Sequence, residues 1–183
     1  IADVFAAAFD NPDMGDMEDQ ARLAPPADLA GGRLAFTTDS YVVSPLVFPG
    51  GDIGRLAVNG TVNDLAVGGA RPLWLSCAVI IEEGLPVETL RMVAASMRDA
   101  ADAAGLRIVT GDTKMVGKAV GRGAADGLVV ATSGVRAIPS GRDLAARRVK
   151  PGDALIVSGH IGDHGAAILG ARGELALALA SPI

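Results

Sequence analysis

Four acids, an amide and a lysine stand where side chains with chemistry are unusual. Asp39 lies in the alternating stretch Leu34–Val43, and Asn63 and Asp64 lie in the apolar stretch Ile53–Val67. Asp112 and Lys114 belong to Gly111-Asp112-Thr113-Lys114, directly after the apolar run LRIVT, and Asp19 sits in the acidic stretch Met17-Glu18-Asp19-Gln20. Carboxylates separated in sequence but converging in space suit Mg²⁺. That ion takes few protein carboxylates and leaves its other positions to water and substrate phosphates. A general acid and base pair is the alternative; it needs two carboxyls in contrasting environments, and these residues alone do not separate the two chemistries. Structural readings stand beside both: a solvated strand end at Asp39, a solvated loop at Asp19 and a solvated turn at Lys114.

Gly111-Asp112-Thr113-Lys114 offers backbone N–H groups, a hydroxyl and an ammonium, a set that holds phosphate. It is not a Walker A loop, because the second glycine and the Lys-Ser/Thr pair are out of place. Gly121-Arg122-Gly123-Ala124-Ala125-Asp126-Gly127 lies between strands rather than opening a helix, which argues against a Rossmann fold. His160 and His164 have i, i+4 spacing, but zinc needs more ligands and the single cysteine is remote. No GxSxG elbow is present.

The elements that must carry these residues read as alternating strands and helices. In Leu34–Val43, Phe36, Thr38 and Ser40 oppose Ala35, Thr37 and Asp39. Pro45, Pro49, Gly50 and Gly51 break the strand, and Asp52 is placed as an N-cap for the next helix. Gly60 lies mid-helix, at a cost of about 1 kcal/mol relative to Ala. It predicts the close approach of another backbone or a ligand. A carboxylate at Asp64, within an apolar element, calls for a partner or a cation. Leu73–Ile81 reads as a strand. Val87–Ala104 reads as a helix through Leu90, Val93, Met97, Ala101 and Ala104, with Gly105 just past its end. Leu106–Thr110, Leu128–Gly134 and Ala154–Ser158 are further strands. Arg136–Lys150 reads as a linker, turn-rich at Ile138-Pro139-Ser140-Gly141-Arg142, and a domain boundary is expected between Ile138 and Lys150. The opening IADVFAAAF has helical periodicity, so the sequence is expected to begin inside an amphipathic helix of a longer protein.

Composition bounds the answer. The 183 residues are 50% hydrophobic with 24 glycines and only 3% aromatics, so an α/β or α+β domain with an aliphatic core is expected. A net charge of −5 without a long basic tract disfavours nucleic acid. One cysteine, Cys77, excludes an intrachain disulfide framework, and its apolar neighbours predict a buried, unreactive thiol. No apolar run reaches membrane-spanning length. The expected setting is reducing and cytoplasmic.

The blocks EDQARL, LAFTTDSYVVSPLVFPGGDIGRLAVNGTVNDLAVGGARP, LSCAVIIEEGLP, GLRIVTGDTKMV and VSGHIGDHGAAIL resemble the HypE-type hydrogenase maturation proteins. These belong to the superfamily of aminoimidazole ribonucleotide synthetase, selenophosphate synthetase and thiamine-monophosphate kinase. The resemblance implies a PurM-like N-terminal α/β domain whose sheet joins that of a second copy in a dimeric β-barrel. It places that domain at 1–145 and the start of a second α/β domain at 146–183. It further implies ATP-dependent dehydration of an S-carbamoyl group on a C-terminal cysteine, giving a thiocyanate that supplies cyanide ligands. On this resemblance Asp19, Asp39 and Asp64 are Mg²⁺ ligands. Asn63, Gly111, Asp112, Thr113 and Lys114 lie near the nucleotide, and Asp64 and Lys114 act in catalysis. The implied partners are a second copy, a carbamoyltransferase and an iron-scaffold maturation protein.

The HGSGG-like segment, the ATRGG-like motif and the terminal cysteine of that family are not among the 183 residues. Two competing functions are another ATP-using enzyme of the superfamily and a non-catalytic dimeric scaffold for maturation factors.

Overall fold

The structure is a computed structural model, and it describes residues 2–10, 32–69, 71–117, 126–142, 144–176 and 181–182. Helix α1 (Ala2–Phe9) precedes strand β1 (Arg33–Tyr41), a small hairpin of β2 (Val47–Phe48) and β3 (Gly51–Asp52), and helix α2 (Ile53–Ala66). Strand β4 (Arg71–Glu82), helix α3 (Val87–Ala104), strand β5 (Arg107–Val116) and strand β6 (Leu128–Ile138) follow. A 3-10 turn (Ala146–Arg148) leads to helix α4 (Asp163–Ala171). No helix among the described residues is long and apolar enough to cross a membrane.

The main sheet has the order β1-β6-β4-β5. β6 runs antiparallel to both β1 and β4, while β4 and β5 are parallel and joined through α3. The period-two pattern of each strand sorts its side chains between two faces. One face buries Leu75, Cys77, Val79 and Ile81 of β4 and Leu128, Val130 and Thr132 of β6 under α2 and α3. On the other, Leu34, Phe36 and Ile80 are exposed, Phe36 at 70%.

Capping fixes the helices. Asp52 Oδ1 accepts from the backbone N–H of Gly54 at 2.7 Å and of Arg55 at 3.2 Å, as an N-cap should. Its Oδ2 accepts from Ser96 of α3, so one carboxylate starts α2 and ties it to its neighbour. Gly54 lets the helices close: a Cβ there would lie 2.6 Å from the Val93 carbonyl oxygen. α3 ends at Gly105, whose φ of 70° is left-handed and suits glycine.

Two expectations are corrected. Arg136 belongs to β6 and not to a linker: it pairs in register with Ala35 and Pro72 and is 2% exposed. Ala154–Ser158 forms no strand. Leu155 is 93% and Ile156 88% exposed, because among the described residues no other strand offers hydrogen bonds to this segment. Beyond it, α4 returns to the β2–β3 hairpin. Arg172 Nε donates to the Ser44 carbonyl at 2.7 Å, and His164 packs edge-on against Phe48, with ring centroids 5.4 Å apart.

Candidate functional site

β1 and α2 together place two carboxylates. Thr37, Asp39 and Tyr41 alternate on the helix side of β1, at the edge of the sheet. Asp39 Oδ1 accepts from the backbone N–H of Ser40 at 2.7 Å. Asp64, on the last turn of α2, receives a hydrogen bond from Thr37 Oγ1 to its Oδ2 at 3.3 Å. Asp64 is solvent-exposed, so the expectation of a carboxylate inside an apolar element is corrected; its charge stays hydrated at the helix surface. Asn63 is exposed beside it.

Tyr41 joins the two acids. Its phenol is pushed up to about 12, first by burial and then by Asp39, which hydrogen-bonds it and repels the phenolate; Asp64 adds to the repulsion and Thr61 works against it. Gly60 explains how the ring fits: a Cβ at residue 60 would collide with the phenol oxygen of Tyr41. The room expected at Gly60 for a backbone or a ligand is taken by this side chain. Tyr41 was missed as a site residue. The signal lay in its place two residues from Asp39 together with an unexplained helical glycine, but only the packing of β1 on α2 connects them.

Gly111-Asp112-Thr113-Lys114 is not the expected turn. It continues β5, with Gly111 opposite Cys77 and Lys114 opposite Ile80 of β4. Its backbone is committed to the ladder on that side, and Gly111 is required because a Cβ would collide with the Cys77 carbonyl oxygen. Asp112 and Lys114 form an exposed ion pair, Nζ to Oδ2 2.8 Å, and the lysine holds the Asp112 carboxyl below the usual range. These two align with Ala78 and Ile80, on the face away from the helices. They therefore occupy the opposite edge and opposite face from Asp39 and Asp64, about 14 Å away at three strand spacings.

Asp19 lies outside the described residues. Among the described residues no group of three or more His, Cys, Asp or Glu side chains could hold a metal ion. Asp39 and Asp64 thus offer two hard oxygen donors, which fits Mg²⁺ completed by water and phosphate oxygens and does not fit zinc. His160 is exposed ahead of α4, and His164 Nδ1 lies 3.2 Å from Ser181 Oγ. Cys77 is buried against Met97, Sγ to Sδ 4.0 Å, and burial pushes its thiol up to about 12. The expectation of a buried, unreactive thiol agrees with this.

The family model described as "AIR synthase related protein, N-terminal domain" matches residues 17–135. A protein named carbamoyl dehydratase HypE from Rhodobacter capsulatus is 64% identical over 179 residues, covering 97% of this chain and 50% of the relative. A solved structure of the hydrogenase maturation protein HypE in complex with ATP aligns at a TM-score of 0.87 and 48% identity, over 97% of this chain and 50% of that one. A HypE–HypF complex structure aligns at 0.76 and 47% identity, over 98% of this chain and 56% of that one. The chain spans about half the length of the relatives it matches.

Proposed function

Since the chain belongs to the AIR synthase related family and is of its HypE type, we propose that it is the ATP-binding half of a carbamoyl dehydratase of hydrogenase maturation. One observation carries the reading: Asp39 and Asp64 both act on Tyr41 at an accessible edge of the sheet, and among the described residues no third His, Cys, Asp or Glu joins them in a metal-holding group. That arrangement leaves the remaining positions of a hard cation to phosphate oxygens. The similarity to a HypE solved with ATP supports the same ligand class.

In the proposed reaction the carbamoyl oxygen of an S-carbamoyl cysteine attacks the γ-phosphorus and ADP leaves. The phosphorylated oxygen then departs as phosphate while the nitrogen gives up its two protons, leaving S–C≡N. Mg²⁺ would offset phosphate charge during the transfer. Asp39 and Asp64 hold the cation, with Asp19 as a third ligand, and Thr37 orients Asp64. Asn63, Gly111, Asp112, Thr113 and Lys114 line the nucleotide, and the Lys114 ammonium answers phosphate charge. Asp64 and Lys114 are the pair on which catalysis depends. Lys114 stands at the far edge of the same sheet, so the reading includes a homodimer in which two sheets close through the exposed face. Residues 1–145 form this unit and 146–183 begin a second domain. The carbamoyltransferase HypF and an iron-scaffold protein are the proposed partners.

Calorimetry on the full-length protein tests the site. ATP should bind only with Mg²⁺, and Asp64→Asn should weaken binding. Equal ATP affinity with and without the metal would reject the reading.

A further inference from the structure

Arg136 carries a positive charge into an apolar part of the fold. It is 2% exposed, and among the described residues its Nε and Nη1 have no hydrogen-bond partner. Its register partners are Ala35 on β1 and Pro72 on β4, and Ala35 brings no polar side chain. Two residues back on the same face, a Cβ at Gly134 would lie 2.7 Å from Leu65 Cδ1 and 2.9 Å from Leu75 Cδ2. A guanidinium keeps its proton even when buried. A buried cation without a partner is strongly destabilising. Such a group in a native protein calls for an ion or a water that meets it.

The turn after β6 covers this end of the sheet. Gly141 has a φ of 81°, and the Arg142 N–H donates to the Pro139 carbonyl at 3.2 Å. β6 lies between β1 and β4, and the turn is fastened on both sides. Towards β1, Arg33 Nη2 donates to the Arg142 carbonyl at 2.9 Å. Towards β4, Arg142 Nη1 donates to the Gly69 carbonyl, just past the end of α2. Both bonds are exposed, so water can replace either partner and the turn can lift without leaving a polar group dry. Arg33 and Arg142 are also of the same charge as Arg136. A metal cation would be repelled here, and an anion drawn in.

We propose that Arg136 anchors an oxyanion site: a phosphate group enters beneath the Pro139–Arg142 turn, accepts from the Arg136 guanidinium, and takes Arg142 in place of the Gly69 carbonyl. The planar fork of N–H donors on a guanidinium matches two oxygens of such a group at once. Free phosphate and the phosphate of a bound nucleotide share this chemistry. The site does not depend on Asp39 and Asp64 being cation ligands.

The test is calorimetry of inorganic phosphate with the full-length protein, with chloride at equal ionic strength as the reference and thermal melting to confirm folding. The unmodified protein should bind phosphate. Arg136→Met should weaken it at least about 10-fold, the worth of one hydrogen bond to a charged group. Arg142→Ala should weaken it as well, whereas Asp64→Asn should bind phosphate as the unmodified protein does. ATP affinity separates the two sources. It should be unchanged in Arg136→Met where free phosphate is the ligand, and reduced where the ligand is the phosphate of the nucleotide. Absence of phosphate binding by the unmodified protein, or equal affinity in Arg136→Met, overturns the site. Should Arg136→Met not fold, unaltered phosphate affinity in Arg142→Ala overturns it instead.

Discussion

The phenol oxygen of Tyr41 occupies the space that a side chain at residue 60 would fill. A strand residue and a helix residue, nineteen positions apart in sequence, are thus a single packing unit. The helical glycine is explained by its neighbour rather than by its own helix.

Gly60→Ala follows directly. Helix propensity alone would favour alanine by about 1 kcal/mol. Overpacking against Tyr41 opposes it, at about 1–3 kcal/mol, and displaces the phenol from Thr61. Urea unfolding should show the variant to be less stable. A more stable variant would mean that the ring moves freely out of the notch.

Alkaline pH should destabilise the fold through Cys77. Its thiol ionises near 9.0 when exposed and is pushed up to about 12 by burial. Between those values the unfolded chain binds fewer protons than the folded one, so stability falls as pH rises, by at most about 1.4 kcal/mol per pH unit. Tyr41, moved from 10.0 to about 12, adds its own loss above pH 10. Unfolding measured from pH 8 to 10 should fall less steeply in Cys77→Ala. An identical slope would remove Cys77 from the account.

Arg136→Met should stabilise the protein. Arg136 is 2% exposed, and among the described residues its Nε and Nη1 have no hydrogen-bond partner. Arginine does not shed its charge. An apolar side chain of similar length avoids that desolvation, with a gain of about 1–3 kcal/mol. The measurement is the denaturant midpoint at constant slope; a lowered midpoint would show that the guanidinium is paired.

Phe36→Glu tests the homodimer. Phe36 is 70% exposed on the open sheet face, and a charge there would oppose closure of two sheets. The full-length protein should sediment as a dimer at micromolar concentration, and the variant should shift towards monomer. A dimer that withstands the change places the interface elsewhere.

The sequence by itself determined what depends on near neighbours. The alternation of β1, the cap at Asp52, the extent Val87–Ala104 and the left-handed Gly105 all appear as expected, because each is set within one turn or one pleat. Asp39 and Asp64 were legible as candidates for the same reason: acids beside apolar runs are conspicuous. Tertiary structure alone decided what each element leans on. It made Gly60 the seat of Tyr41, drew Gly111–Lys114 into β5 through pairing with β4, and carried Asp112 to the edge remote from Asp39. It also left Ala154–Ser158 without a strand, although the apolar pattern favours one. The physical reason is common to all four. Strand pairing and close packing are contacts between residues far apart in sequence, and no local pattern records which partner a strand or a glycine will meet.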